Sequence, residues 1–138
     1  DLSSIQFGHD RLVLLVPENH PLANKEEVTL SDIQGMTFLH RDSGSAVREY
    51  LDKLFAEKNI QVDTLWQSTS THALIHAVEK GIGITILPYN MCLDEITRKR
   101  VIPVFFKDNL LERNYYVVYH SQKIMTAVMK NFLNLILQ

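Results

Sequence analysis

Two short stretches gather the side chains best suited to holding a polar ligand: HRDSGSA (40–46) and QSTST (67–71). Together they place six hydroxyls, on Ser43, Ser45, Ser68, Thr69, Ser70 and Thr71, just ahead of two helical patterns. A helix start offers free backbone N–H groups and the positive end of its dipole, and short hydroxyls both donate and accept. One serine or threonine is enough to cap a helix. The surplus over two helix starts points to a small polar or anionic ligand, which such termini hold readily. Arg41 would add positive charge, or stand as an ordinary surface arginine. Strand alternation turns about half of 67–71 away from any cleft.

Other chemistries are less well served. A catalytic serine needs a base within reach and a third group holding that base. Ser70 lies near His72 and His76 but in no G-x-S-x-G elbow, and Asp42 stands without a second carboxylate. There is no phosphate-binding G-x-x-x-x-G-K-[ST] loop, and Gly81-Ile82-Gly83 precedes a strand pattern rather than a helix. Binding without chemistry is the expectation, with no catalytic residue and no cofactor. His72 and His76 have metal-like i, i+4 spacing, but no acidic or cysteine ligand stands beside them, so no metal site is expected. Cys92, the single cysteine, lies in a helical pattern where burial leaves a thiol unreactive.

The elements that must position these residues follow from periodicity and punctuation. RLVLLVP (11–17) reads as a buried strand, VTLSDIQG (28–35) as a short helical turn and MTFLH (36–40) as a strand. Val47, Leu51, Leu54 and Phe55 fall on one face of a helix ending near Asn59. VDTLWQ (62–67) is the next strand, with Val62, Leu65 and Trp66 as its bulk, and a helix runs from about Thr71 to Lys80 with Gly81 at its C′ position. ITILP (84–88), VIPVFF (101–106) and NYYVVYH (114–120) are further strands, and Pro103 argues for an edge or a bend. YNMCLDEITRKR (89–100) is a helix whose closing Arg98, Lys99 and Arg100 complement its C-terminal dipole. The last helix carries Met125, Val128, Met129, Phe132, Leu133 and Ile136 on one side, a stripe expected in the core. Alternating strands and helices predict an α/β domain with a mostly parallel sheet flanked by helices.

Composition sets the outer bounds. With 138 residues, 46% hydrophobic and 22% charged, the chain is that of an ordinary globular domain. A net charge of −2 without a basic face argues against DNA binding by the chain itself. No apolar run is long enough to span a membrane, no secretory leader is visible at the start, and one cysteine fits a reducing cytoplasm.

LVLLVPENHPLA followed by VTLSDI, then KGIGITILP, then YYVVYH with the final amphipathic helix, resembles the effector-binding domain of LysR-type transcriptional regulators. The resemblance covers nearly the whole chain in the expected order. It implies a type II periplasmic-binding-protein-like fold: two α/β subdomains joined by two crossing hinge strands, here Leu12–Pro17 and Tyr115–His120. Residues 20–106 would be the second regulatory subdomain, with 11–19 and 107–138 the crossing strands and a remnant of the first. The family's effector contacts fall on Ser43, Gly44, Ser45 and Ala46, and on Ser68, Thr69, Ser70 and Thr71. A small effector would bind between subdomains and control DNA binding by an upstream winged helix-turn-helix. That domain and the opening of the first subdomain are absent from the sequence, so the resemblance marks a fragment of a longer cytoplasmic regulator, with exposed apolar surface favouring self-association. The alternative is a stand-alone small-molecule-binding or transport-type α/β domain. A hydrolase using Ser70 and a histidine is the third reading.

Overall fold

The computed structural model describes residues 1–107 and 111–138, so residues 108–110 of the expected 107–138 segment lie outside the described residues. The chain divides into two compact units, Arg11–Leu111 and a smaller one of Asp1–Asp10 with Glu112–Gln138.

The larger unit is built around the second half of β1 (Leu2–Val16). β2 (Glu27–Val28), β3 (Thr37–Arg41), α1 (Ala46–Lys58), β4 (Asp63–Ser68), α2 (Thr71–Glu79), β5 (Thr85–Pro88), α3 (Leu93–Thr97) and β6 (Ile102–Phe106) follow in order. Leu12 to Val16 are all buried, which requires cover on both faces of the strand, and the two-residue alternation sorts them. Leu12, Leu14 and Val16 join Phe38, Ile84, Ile86 and Val104 under the α1 face of Val47, Leu51, Leu54 and Phe55. Val13 and Leu15 join Leu39, Leu87 and Cys92 under the α2 face of Leu74, Ile75, Ala77 and Val78. The sheet is thus the middle layer of an α/β/α arrangement.

β1 pairs antiparallel with β5 (Leu12 opposite Pro88) and with β6 (Leu14 opposite Val104). β2–β6 and β3–β4 are parallel, and a parallel bridge from Phe38 to Ile84 sets β3 beside β5. The sheet is therefore mixed. β1 leads into β2 through a loop rather than a crossover helix, so nothing forces it into the direction of the others. Pro103 sits in an internal strand, β6, yet β2 pairs only with Phe105 and Phe106, so at Pro103 the ladder has β1 alone as neighbour and loses no second bond.

Local chemistry ends α1 and α2 where the sequence predicts. Asn59 takes a left-handed conformation (φ 54°) after α1, and Gly81 (φ 72°) sits at C′ of α2 with its N–H on the Val78 carbonyl at 2.8 Å. Gly83 has a different reason: a Cβ there would lie 2.9 Å from the Thr37 carbonyl oxygen, so only glycine lets β3 and the start of β5 approach this closely. The expected helix over 89–100 is shorter, a 3-10 turn at Tyr89–Cys92 leading into α3. Leu65 and Trp66 are exposed rather than core, because among the described residues β4 pairs with β3 alone.

In the smaller unit the first part of β1 pairs with β7 (Glu112–His120), and α4 (Ala127–Ile136) follows, capped by the Thr126 side chain accepting from the Met129 N–H. Asp10 is buried and accepts from the Tyr115 hydroxyl at 3.4 Å. The expected core stripe is corrected here. Met125, Met129, Leu133 and Ile136 are half-buried, Val128 and Phe132 are exposed, and α4 buries no residue fully. A two-stranded ribbon has too little surface to cover a helix of this width.

Candidate functional site

β3 and β4 run parallel with Arg41 opposite Ser68, so both polar stretches leave the sheet at the same end, side by side. The Asp42 N–H donates to the Ser68 carbonyl at 3.2 Å, tying the two turns together, and the Ser45 N–H returns to the Asp42 carbonyl at 3.0 Å. This is the carboxyl end of the strands, where open α/β sheets hold their ligands.

The hydroxyls divide into spoken-for and free. Ser70 is the N-cap of α2, its Oγ accepting from the Ala73 N–H at 3.2 Å. The Ser68 Oγ accepts from the Ser70 N–H at 3.1 Å and shapes the turn. Thr71, the first residue of α2, accepts through Oγ1 from Arg41 Nη1 at 3.3 Å. Ser45 stands at the N-cap of α1 with extended backbone but makes no side-chain cap bond, so its hydroxyl does not satisfy the first-turn N–H groups of α1. Ser43, Gly44 and Thr69 are exposed turn residues, and Ala46 opens α1. Gly44 has no steric requirement, since a Cβ would meet only the Asp42 carboxylate at 3.5 Å.

Arg41 lies between the two turns. Its side chain is 19% exposed, Nη2 reaches the Asp42 Oδ1 at 3.4 Å, and Nε is buried without a hydrogen-bond partner among the described residues. Both guanidinium contacts are long, and an unpaired buried donor is costly. The arrangement has spare capacity to donate to an anion.

Arg48 is a site residue that periodicity alone assigns to solvent. It lies on α1, pairs with Asp52 at 2.8 Å, and its Nη1 also donates to the Arg41 carbonyl at 3.1 Å and to Gln67 Oε1 at 3.4 Å. It fastens α1 to the ends of both strands. The i, i+4 Arg48–Asp52 spacing is the one signal of this in sequence. Behind the site His40 is 3% exposed, its ring 4.5 Å from the Phe38 ring and tilted 51° to it, with Nδ1 unpaired among the described residues. Burial, with the nearby Arg48 charge, pushes its pKa down to about 4 against the opposing pull of Asp52, so the imidazole is neutral at pH 7.

Among the described residues, Ser70 does not form the histidine pairing that a serine hydrolase requires. Ser70 Oγ is occupied as a cap, while His72 Nδ1 faces Glu95 and His76 Nδ1 faces Glu79. Cys92 is fully buried. No helix is long and apolar enough to cross a membrane among the described residues.

The family model for the LysR substrate binding domain matches residues 1–138. The chain belongs to that family. The LysR domain is 36% identical over 99 residues to the uncharacterized HTH-type transcriptional regulator YybE of Bacillus subtilis (strain 168), covering 70% of this chain and 34% of that protein. It is 25% identical over 135 residues to the HTH-type transcriptional activator CmpR of Synechocystis sp. (strain ATCC 27184 / PCC 6803 / Kazusa), covering 97% and 44%. It therefore spans less than half the length of these curated relatives. Among solved structures it superposes on the CcmR regulatory domain of Synechocystis PCC6803 in complex with 2-PG with a TM-score of 0.88 at 24% identity, covering 99% of this chain and 66% of that one. On the effector-binding domain of QuiR in complex with shikimate the TM-score is 0.81 at 26% identity, covering 99% and 64%. The LysR domain is thus an effector-binding domain of the type II periplasmic-binding-protein-like fold.

Proposed function

We propose that the LysR domain senses a small anionic metabolite at the ends of β3 and β4, and through it controls DNA binding by a helix-turn-helix domain elsewhere in the full-length regulator. The observation that carries the anion is Arg41, held between two hydroxyl-bearing turns with a buried Nε that has no partner among the described residues. Ser43, Gly44, Ser45 and Ala46 line one side, and Ser68, Thr69, Ser70 and Thr71 the other, with the first-turn N–H groups of α1 beside them. Shikimate, bound by the QuiR domain, is a carboxylate and fits the same chemistry. The reading is of binding without catalysis, supported by His72 Nδ1 and His76 Nδ1 facing Glu95 and Glu79 and by Ser70 Oγ serving as a cap. Residues 20–106 act as the second regulatory subdomain, with 11–19 and 107–138 as crossing strands and the remainder of the first. The regulator works in the cytoplasm and self-associates, and effector binding shifts its population toward the state that holds effector more tightly.

Calorimetric titration with a panel of small carboxylates and phosphorylated acids, shikimate included, tests this. Arg41→Gln is expected to weaken binding about ten- to a hundredfold, the range of one lost charge-assisted bond, with the melting temperature almost unchanged. Equal affinity in the variant would overturn the assignment.

A further inference from the structure

The outward face of α2 carries a second cluster, which the effector reading does not use. His72 and His76 stand four residues apart on this helix, their side chains 85% and 67% exposed. Nδ1 of His72 lies 3.2 Å from Oε1 of Glu95 on α3, and Nδ1 of His76 lies 3.1 Å from Oε2 of Glu79. These four residues, with Ile75 and Arg100, line a cavity of about 180 Å³.

A carboxylate only accepts hydrogen bonds, so each neutral imidazole keeps its proton on Nδ1 and leaves the Nε2 lone pair free. That is how metal-ligating histidines are held: a carboxylate behind one ring nitrogen fixes the tautomer and the ring orientation for the other. The i, i+4 spacing puts both histidines on one face of α2, and both line the same cavity. Glu95 is 8% exposed, so one of the two supports is anchored in the fold rather than on the surface.

We propose that His72 and His76 chelate one borderline divalent transition ion, zinc being the type, through their Nε2 atoms, with Glu95 and Glu79 as positioning residues. Among the described residues no three His, Cys, Asp or Glu are grouped to hold a metal, so water completes the coordination. Arg100 opposes the cation from the same cavity and keeps the affinity modest. Because Thr71 opens this helix and Ser70 caps it, the ion would sit one residue from the effector contacts.

The test is calorimetric titration of the full chain, free of any histidine tag, with zinc chloride in a non-chelating buffer. One equivalent is expected to bind and to raise the melting temperature. His72→Ala and His76→Ala, both at exposed positions that leave the core untouched, are each expected to weaken binding at least tenfold. Glu95→Gln should weaken it about tenfold, with Glu95→Asp recovering part of the loss, and Arg100→Gln should tighten it. Undiminished affinity in the double histidine variant, or no heat and no melting shift at millimolar zinc, would overturn the proposal. Neither result touches the effector reading, which rests on other side chains.

Discussion

At the scale of single residues, two serines that look equivalent in sequence do different work. Ser70 Oγ accepts the Ala73 N–H, whereas Ser45 at the matching position of α1 makes no cap bond. Ser70→Ala is therefore expected to cost about 1 kcal/mol in urea unfolding, and Ser45→Ala close to nothing while weakening effector binding. A stability loss at Ser45 with unchanged binding would make it a structural residue. His40 makes a pH-dependent contribution. Its folded pKa of about 4 lies below the ordinary 6.5, so folding favours the neutral ring. That stabilisation is complete above pH 6.5 and is lost as the pH falls toward 4, a change of up to about 3 kcal/mol by linkage. Guanidinium unfolding at pH 7.5 and 4.5 reads it, and His40→Gln should flatten this part of the acid limb.

At the scale of elements, β3 is the hinge of the site. Phe38 and His40 face α1 and Leu39 faces α2, so one five-residue strand meets both core layers and ends on Arg41. Phe38→Ala is expected to cost about 3–5 kcal/mol, a cavity between strand and helix. Gly83→Ala should cost about 1–3 kcal/mol, because the new methyl meets the Thr37 carbonyl and the Leu39 side chain and forces β3 from β5. Thermal melts of both variants check this, and an unchanged melt for Gly83→Ala would show that β3 yields freely. Element types were legible in sequence because two-residue and helical periodicities are local. Lengths were less so: β1 begins at Leu2, well ahead of the apolar run, since its polar first half is held by β7 rather than by burial.

At the scale of the molecule, the exposed Val128 and Phe132 of α4 form an apolar face without full cover. Sedimentation velocity of this chain is expected to show concentration-dependent association that falls in the Val128→Ser, Phe132→Ser double variant. A monomer at all concentrations would argue against association through this face.

The sequence by itself determined the order of the longer elements, the α1 and α2 core faces, the glycine and asparagine helix stops and the two hydroxyl-rich turns, because spacing along one chain encodes each of them, whereas the two-residue β2 has no period to read. Only the tertiary structure decided that β1 runs antiparallel to its neighbours, that Arg48 reaches both strand ends, and that Glu95 stands behind His72. Those facts depend on pairings between residues far apart in the chain, and strand direction and long-range contact leave no local period to read. The same holds for Arg41: its charge is plain in the sequence, but that its Nε lacks a partner among the described residues follows only once β3, β4 and α2 have packed around it.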